Sequence, residues 1–273
     1  MTRRKGFLAR SRRGLRLALR VFLALLAIDL IYVATIWPDW NKIAQGAVPR
    51  SSFMELYEAQ RAARGWGPLV WHPVPLSRIP RHMIRAVIVA EDSRFYTHSG
   101  FDLAAIKEAL DYNLDRGRVV FGASTISQQT VKNLFLSPSR NPLRKWHELL
   151  LTWGIEHHLR KSRILELYLN VAEFGRGLYG VQAAAQHYYH VDVDQLDLLQ
   201  AAELAATLPS PVKRNPENRT ELFERRAQRI LGLMTREQAR APAAASPPVP
   251  VSVAPPAPDA APEPAPTESP EAP

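Results

Sequence analysis

The sequence predicts a mostly α-helical protein in which one membrane-spanning helix precedes a folded helical domain. Two observations favour this fold class: a long apolar run follows a basic N-terminal segment, and beyond it apolar residues recur mainly at helical spacing, with few strand signals. The chain has 273 residues, and its hydrophobic fraction of 46% is sufficient for a packed core in one or two domains. Because it contains no cysteine, the sequence excludes a disulfide framework and a thiolate metal site.

The N-terminal segment is typical of a membrane anchor. Residues 1–20 contain eight lysines and arginines and no acidic residue, and the apolar run "VFLALLAIDLIYVATIW" follows at residues 21–37. A helix over this run is about 25 Å long, which is enough to span a bilayer core when Arg20 extends to its surface. Basic residues favour the cytoplasmic side, so we expect residues 1–20 inside and everything after the helix outside.

Three side chains bear on the prediction of a membrane anchor, and there is one alternative to that prediction. Trp37 and Trp40 are expected at the outer membrane interface, where amphipathic rings are favoured. Asp29 is unfavourable, because an acid at mid-membrane costs about 2.5–3.5 kcal/mol on insertion scales. A cleaved signal peptide with a small-x-small site at Ala44-Gln45-Gly46 is the alternative, although the apolar run is longer than a usual signal core. Under either interpretation, the rest of the chain is exported across the membrane.

The formal net charge of +9 does not predict a nucleic-acid partner. Most of the charge belongs to residues 1–20, which the membrane interpretation already explains, and the tail after Arg240 carries acids and no base. The middle of the chain is therefore only moderately basic.

Residues 38–73 are predicted to be a linker with a membrane-proximal helix, followed by a folded domain at residues 74–240. Ser51 or Ser52 caps a helix over Phe53–Arg64 that ends at Gly65, and a proline-rich connection follows. The first apolar segment of the domain, "RAVIVAED", fits a helix or a strand, and a helix is favoured.

Helical signals dominate the rest of the domain. Asn141 is an N-cap followed by proline, and apolar residues then recur at helical spacing. We expect further helices to begin at Ser162 and at Asp194, the second ending at Pro209, and a last amphipathic helix through "ELFERRAQRILGLM". Residues 173–180, "EFGRGLYG", are predicted to be a glycine-punctuated loop.

Residues 241–273 are predicted to be a disordered tail. They consist mainly of alanine and proline and hold twelve of the chain's 23 prolines. Such a segment buries too little apolar area to offset its ordering entropy, so we expect no role for it beyond spacing.

The stretch "GASTISQQTVKN", Gly122–Asn133, is unusually rich in neutral hydrogen-bonding groups. Thr125 and Gln128 form a capping-box pattern, which predicts a helix that starts near Ile126. The free backbone N–H groups of the helix start, with Lys132 one turn further on, indicate an anion site. The alternative is an ordinary capped helix on the surface.

Two further clusters contain charged groups. Glu91 and Asp92 follow an apolar segment, where partial desolvation raises the pKa of a carboxyl toward the range of a useful base. Arg144, Lys145 and Glu148 share one face of a predicted helix. The alternatives are a solvated helix end for the first and a salt-bridged surface for the second. The histidines match no firm metal-site spacing.

Five ordered stretches between about Val74 and Pro216 resemble the glycosyltransferase domain that polymerises peptidoglycan, found in bifunctional penicillin-binding proteins and in a monofunctional form. They match E-D-x-x-F-x-x-H-x-G at residues 91–100, G-[GA]-S-T-[IL]-[ST]-Q-Q-x-x-K-N at 122–133, R-K-x-x-E at 144–148, I-L-E-x-Y-L-N at 164–170, and, with small spacing differences, G-x-x-Y-G-V-x-x-A-A at 175–184. The S-x-x-K, S-x-N and K-T-G sets of a transpeptidase are absent from the sequence. The resemblance is therefore to the monofunctional biosynthetic peptidoglycan transglycosylases.

This resemblance implies an all-α, lysozyme-like large lobe with a small membrane-facing lobe. It also implies that the 4-hydroxyl of an acceptor GlcNAc attacks C1 of the MurNAc of a donor lipid II, with inversion and release of undecaprenyl diphosphate. Glu91 is then the base, and Glu148 is a second carboxylate that positions cations or sugar. The residues implied to bind substrate or diphosphate are Lys132, Arg140, Arg144, Lys145, Ser124, Thr125, Gln128 and Gln129. Those implied to support them are Asp92, Phe95, His98, Gly100, Asn133 and Asn170.

The resemblance leaves cofactors and partners partly open. Mg²⁺ or another divalent cation is possible, with Asp92 as a candidate ligand, and no cofactor is certain. The expected partners are lipid II, the growing glycan chain, the bacterial inner membrane and cell-wall synthesis or division proteins, with no nucleic acid. The catalytic domain is expected on the periplasmic side.

Two other functions compete with this one. A lysozyme-like hydrolase or lytic transglycosylase also needs a carboxylate at a glycosidic bond, but its leaving group is a sugar oxygen that needs a proton rather than a cluster of cations. A non-catalytic, membrane-anchored scaffold that binds peptidoglycan is the second. Intact Glu91 and Glu148 argue against it.

Overall fold

The computed structural model describes residues 2–117, 124–138 and 141–240, and these residues are mostly helical. The α-helices are α1 (Thr2–Ile36), α2 (Trp40–Gln45), α3 (Ser52–Arg61), α4 (Arg81–Glu91), α5 (Leu103–Asp115), α6 (Ile126–Phe135), α7 (Pro142–His158), α8 (Lys161–Val171), α9 (Val181–Tyr189), α10 (Leu198–Thr207) and α11 (Glu221–Arg240). Short 3₁₀ turns cover Leu76–Arg78 and Val193–Gln195. The predicted all-α class is confirmed, as is the helical state of "RAVIVAED". The predicted tail, residues 241–273, lies outside the described residues.

Three short strands form the one sheet of the described residues. They are β1 (Val70–Trp71), β2 (Glu173–Gly175) and β3 (Leu178–Tyr179), in the order β1-β3-β2. β1 is parallel to β3, while β2 and β3 form an antiparallel hairpin with an irregular register. The prediction of a loop at residues 173–180 was therefore wrong, because strands of two or three residues are too short to give an alternating pattern.

The core of the domain is built around α8 and α10. From Ile164 onward every side chain of α8 except Glu166 is buried, and α6 packs against both α8 and α7. α10 is rich in alanine and packs against both α4 and α11, which also contact each other. These two packing groups bring the end of α4, one face of α6 and one face of α11 close together, which is where the site described below forms.

Two helices begin at residues other than the predicted ones. α8 begins at Lys161 after Arg160, which makes no side-chain cap, instead of at Ser162. α10 begins at Leu198, because Asp197 and Gln200 form its capping box. The predicted start at Asp194 falls in the 3₁₀ turn, where Asp192 and its partner three residues on form a similar box. Asp194 was a wrong choice of cap, because the two Asp-x-x-Gln patterns of this segment begin at Asp192 and Asp197 instead.

The N-terminal helix α1 is long and apolar enough to cross a membrane. It begins well before the predicted span of residues 21–37, since the basic segment is helical too. Nearly all of its described side chains outside the contact with the domain are exposed. The predicted membrane anchor therefore has the form expected of it.

The segment after the anchor is docked on the domain. Trp40 is buried and stacks on His158, so its ring packs against the domain, and its location at the outer membrane interface stays a prediction. A Cβ at Gly154 would lie 2.6 Å from the Trp40 ring, which explains the glycine at this helix crossing. Arg163 donates to the carbonyl oxygens of Ile43 and Gly46, so the proposed cleavage site belongs to the folded structure.

Asp29, the unfavourable residue of the anchor, has partners on the domain. His147 Nε2 lies 2.7 Å from Asp29 Oδ1, and Trp146 Nε1 donates to Oδ2 at 3.2 Å. His147 is buried, and the ring of Tyr32 packs beside it. Asp29 thus makes a polar contact that joins the anchor to α7. These partners reduce the penalty expected for an isolated carboxylate in the membrane.

Candidate active site

Glu91 is the last residue of α4, and its carboxylate is held on both sides. Gln129 Nε2 donates to Oε2 at 3.0 Å, and Arg226 Nη2 donates to Oε1 at 2.7 Å. The side chain is 11% exposed. Burial raises the pKa of Glu91, while the hydrogen bond from Gln129 and the charges of Arg226 and Lys132 oppose this rise. The result is a nearly desolvated carboxyl oriented by two donors.

Arg226, on α11, was not a predicted site residue. It also donates to the carbonyl oxygen of Ala90 at 3.2 Å, so it fixes both the end of α4 and the carboxylate. The sequence shows it within "ERRAQR", which looks like the charged face of an amphipathic helix. Arg226 lies 135 residues from Glu91, and no local pattern indicates a partner at that distance.

One face of α6 lines a cavity of about 210 Å³ beside Glu91. Gln129, Lys132 and Asn133 lie along it, with Tyr168 of α8 at the far wall. The Tyr168 hydroxyl donates to Gln129 Oε1 at 3.1 Å, and the Gln129 amide in turn donates to Glu91. This hydrogen-bond chain fixes the orientation of the Gln129 amide, and with it the direction of the Glu91 carboxylate.

Lys132 interacts with two carboxylates and two cationic side chains. Burial lowers the pKa of Lys132, and the carboxylates of Glu148 and Glu91 oppose that effect, while Arg144 and Lys145 add to it. Because the Lys132 ammonium group is partly desolvated, its electrostatic attraction to any anion that enters the cavity is strong. The predicted proximity of Glu91 and Lys132 is therefore present in the structure.

Glu148, on α7, is buried and holds two cations. It accepts from Arg144 Nη1 at 3.1 Å and from Lys145 Nζ. The spacing of Arg144, Lys145 and Glu148 on one helix allows both contacts. Arg140, the remaining predicted cation, lies outside the described residues, as do Gly122 and Ala123 of the polar stretch.

A second, larger groove runs between the anchor and the start of α7. Its volume is about 700 Å³, and apolar side chains of α1, among them Leu25 and Ile28, form one wall. Leu143 and Arg144 of α7 form the opposite wall. Arg144 therefore joins an apolar groove beside the anchor to the cationic cluster around Glu148.

Thr125 and Gln128 form the start of α6. Both are buried, and they form the predicted capping box at the start of α6. The Thr125 hydroxyl also donates to the carbonyl oxygen of Gly100 at 2.7 Å. Their polar groups are therefore satisfied within the protein rather than directed at the cavity, whereas Ser124 before them is exposed. Substrate binding by Thr125 and Gln128 stays a prediction.

Comparison with known proteins agrees with this arrangement. A family model described as Transglycosylase matches residues 69–235. The chain belongs to the transglycosylase family. The resemblance inferred from five sequence motifs is thereby confirmed.

The chain is also similar over most of its length to curated members of this family. A biosynthetic peptidoglycan transglycosylase of Nitrosospira multiformis is 39% identical over 219 residues, covering 79% of this chain and 94% of the relative. Similarly named proteins of Burkholderia thailandensis and Methylobacillus flagellatus are 46% and 43% identical, over 69% and 73% of this chain and 72% and 84% of their own lengths.

The first transglycosylase motif builds the support beneath the site. Asp92 Oδ2 accepts from the backbone N–H of Ile126 at 3.0 Å, and His98 Nε2 lies 2.9 Å from Oδ1. Phe95 is fully buried, with the Lys161 ammonium 4.5 Å from its ring centroid. Gly100 adopts a φ of +90°, and a Cβ there would lie 2.9 Å from the Thr152 methyl group. The turn after α4 is thereby joined to the start of α6.

These contacts do not fit the idea of Asp92 as a metal ligand. Both carboxylate oxygens are engaged, one by a helix N-terminus and one by histidine. Within residues 2–117, 124–138 and 141–240, no group of three histidine, aspartate or glutamate side chains is arranged to hold a metal ion. Asp92 instead positions α6, and through it Gln129 and Lys132.

Asn170, in a later motif of the transglycosylase family, has a structural role. Its side chain donates to the carbonyl oxygen of Val74 at 2.9 Å and accepts from the Val74 N–H at 2.8 Å. A second donation reaches the carbonyl oxygen of Glu166. The buried amide thus fixes the proline-rich segment against α8, beneath the residues that line the cavity.

Proposed function

We propose that this chain is a peptidoglycan glycosyltransferase that polymerises lipid II into glycan strands, with Glu91 as the base. Membership of the transglycosylase family and the names of its relatives support the activity. The observation that carries the residue assignment is the buried Glu91 carboxylate, which is hydrogen-bonded to Gln129 and lies beside the cavity that Lys132 lines.

The reaction needs one base and a stabilised leaving group. The 4-hydroxyl of the acceptor GlcNAc gives its proton to Glu91 as its oxygen forms a bond to C1 of the donor MurNAc. The bond between C1 and the phosphate oxygen breaks on the opposite face, and undecaprenyl diphosphate leaves with the electron pair. Attack from the face away from the leaving group inverts C1. A carboxyl whose pKa is raised by burial is a stronger base than a solvated glutamate.

The diphosphate leaves as an anion, so it requires positive charge more than a proton. Lys132 and Arg144 supply such charge from two helices, and Arg140 is included on its sequence match alone. Glu148 is best suited to hold Arg144 and Lys145 in place, because its buried carboxylate already accepts from both. Fixed cations in a partly desolvated site stabilise developing phosphate charge without reorganisation.

A lipid-linked donor also needs room for its tail. The groove between α1 and α7 is apolar along the anchor and reaches Arg144, so a prenyl chain in it would carry its diphosphate toward the cations. Restricting both enzyme and substrate to one membrane raises their effective concentration. We place the N-terminus in the cytoplasm and the domain outside the bacterial inner membrane, beside cell-wall synthesis or division proteins.

The test is to incubate the full-length, detergent-solubilised protein with labelled lipid II and to separate the products by size. Long glycan strands and released undecaprenyl diphosphate are the expected products. Absence of polymer, or cleavage of added glycan strands instead, would replace the proposal with the hydrolase alternative.

A lysine pair tests the cationic part of the site. Lys132→Ala should lower kcat by about 10²- to 10³-fold, because it removes a charge near the leaving group. Lys213→Ala, at an exposed lysine that does not line the cavity, is the matched control and should behave like the wild type. Equal rates for the two variants would remove Lys132 from the mechanism.

A further inference from the structure

A third cavity adjoins Glu91, and none of the roles above uses it. Its volume is about 340 Å³, and its walls come from the end of α4, from α10 and the turn after it, and from α11. Gln129, which binds Oε2 of Glu91, lines the cavity beside α6, whereas Arg226, which binds Oε1, lines this one. Pro209 lines both. The two cavities therefore adjoin, and each contributes one donor to the proposed base.

The lining of this cavity is strongly basic. It contains four arginines, Arg214, Arg225, Arg226 and Arg229. Two of them have carboxylate partners, since Arg226 pairs with Glu91 and Arg225 with Glu221. Within the part of the chain that the structure describes, the guanidinium groups of Arg214 and Arg229 have neither an ion pair nor a hydrogen bond. The buried Nε–H of Arg226 likewise has no acceptor among the described residues.

This cluster of positive charges does not serve the stability of the fold. Arg225 and Arg229 lie one turn apart on α11, and like charges at that spacing destabilise a helix. Arg214 adds a further positive charge to the same cavity from the turn before α11. The unused donors therefore indicate a site for an anionic ligand.

The ligand must combine negative charge with small apolar groups. Guanidinium groups bind carboxylates and phosphates through paired N–H donors. Between the arginines the walls are apolar, formed by Val89, Leu222, Ile230 and Leu233. The peptide that lipid II carries on the lactyl group of MurNAc has this chemistry. It contains several alanines and a glutamate with a free carboxylate, and it ends in a second free carboxylate.

The location of the cavity favours the peptide over the diphosphate of lipid II. The prenyl chain holds the diphosphate at the membrane, and the anchor and the groove proposed for that chain lie against α7. The arginine-lined cavity belongs instead to the packing group of α4, α10 and α11. Five extended residues span at most about 17 Å, so the peptide of a sugar bound at Glu91 can reach it.

We propose, on the basis of the glycosyltransferase function given above, that Arg214 and Arg229 are specificity-determining residues that bind the peptide carboxylates of the acceptor lipid II. The donor occupies the cavity that Lys132 lines, which leaves the arginine-lined cavity to the acceptor. Arg226 lies between the two tasks, because it lines this cavity and also holds Glu91. Binding of the peptide thus helps to place the acceptor sugar at the base.

The experiment measures kcat/KM for the acceptor with a labelled lipid II as donor, whose GlcNAc 4-hydroxyl is replaced by hydrogen so that it cannot accept. Two acceptors are compared: lipid II, and lipid II whose peptide carboxylates are converted to amides. Wild-type protein should disfavour the amidated acceptor by about 10-fold, the effect of losing one hydrogen bond to a charged group. The double variant Arg214→Gln/Arg229→Gln should reduce kcat/KM for intact lipid II by a similar factor and leave the amidated acceptor unaffected.

Arg236→Gln is the matched control, at an exposed arginine of the same helix that does not line this cavity. It should leave the preference unchanged. If wild-type protein uses both acceptors equally, or if the double variant loses the same factor on both, the peptide assignment is overturned. If wild-type protein makes no polymer from lipid II, the proposed function fails before this comparison begins.

Discussion

At the scale of single residues, the proposed role of Glu91 as a base depends on a balance between burial and hydrogen-bond donors. Burial favours the neutral form, whereas Gln129 and Arg226 favour the carboxylate. A base must be ionised to accept a proton. The two donors keep part of the Glu91 side chains ionised, while burial keeps the pKa of Glu91 raised and so makes the carboxylate a stronger base. Activity should fall on acidification as Glu91 becomes protonated, at a higher pH than for a solvated glutamate.

Arg226→Gln tests this balance. Loss of the positive charge raises the pKa of Glu91 further, because the carboxylate then has one less stabilising partner. The acidic limb of the kcat profile should therefore move to higher pH by about one unit. Arg225→Gln is the matched control, because Arg225 is an exposed neighbour on the same helix that pairs with Glu221. An unshifted limb in Arg226→Gln would show that Arg226 does not act on the base.

The sequence predicted the residues on short motifs better than the residues that support them. Glu91, Lys132, Arg144 and Glu148 could be proposed as site residues because each belongs to a compact pattern. Arg226 was missed because its significance depends on a contact with a distant element, the end of α4. Burial and long-range pairing are properties of the fold, and a charged residue in an amphipathic helix gives no sign of either.

At the scale of elements, α6 is the part on which the site depends most. Its capping box and its bond to Asp92 fix where the helix begins, and this determines which residues face the cavity. Gln129, Lys132 and Asn133 fall on the cavity side as a consequence. The sequence predicted this helix start correctly because the capping-box signal is local, whereas for α10 an aspartate outside either capping box was taken as the cap.

Thr125→Ala should destabilise the protein by about 1 kcal/mol, the usual cost of losing an N-cap, and lower Tm by a few degrees. Ser124→Ala, at the exposed residue just before it, should leave Tm unchanged. Thermal unfolding of both variants in detergent measures the difference. A large increase in KM for lipid II with no change in Tm would instead assign Thr125 to substrate binding.

At the scale of the whole molecule, the anchor is part of the enzyme's structure rather than a loose tether. Asp29 contacts His147 and Trp146, and Trp40 packs at Gly154, so α1 and α2 are fixed against α7. The same helix carries the cation-holding Glu148 one residue after His147. Contacts made by the anchor therefore bear directly on the position of the cations that Glu148 holds.

A double-mutant cycle tests this coupling. Asp29→Ala and His147→Ala should each lower Tm in detergent, and the double variant should lose less than the sum. The coupling expected for a polar contact of this kind is about 0.5–2 kcal/mol. Leu30→Ala, beside Asp29 and exposed, is the control and should be close to neutral. Additive effects would mean that the anchor and α7 are energetically independent.

The central claim is that Glu91 accepts the proton while the cations hold the donor, and Glu91→Gln separates these two tasks. The measurement is donor binding and lipid II turnover in the same preparation. Glutamine keeps the size and the contact with Gln129 but is a far weaker base, so binding should change by less than about 3-fold. Turnover should fall by about 10²- to 10⁴-fold, the usual contribution of a general base. Turnover close to that of the wild type would contradict the account.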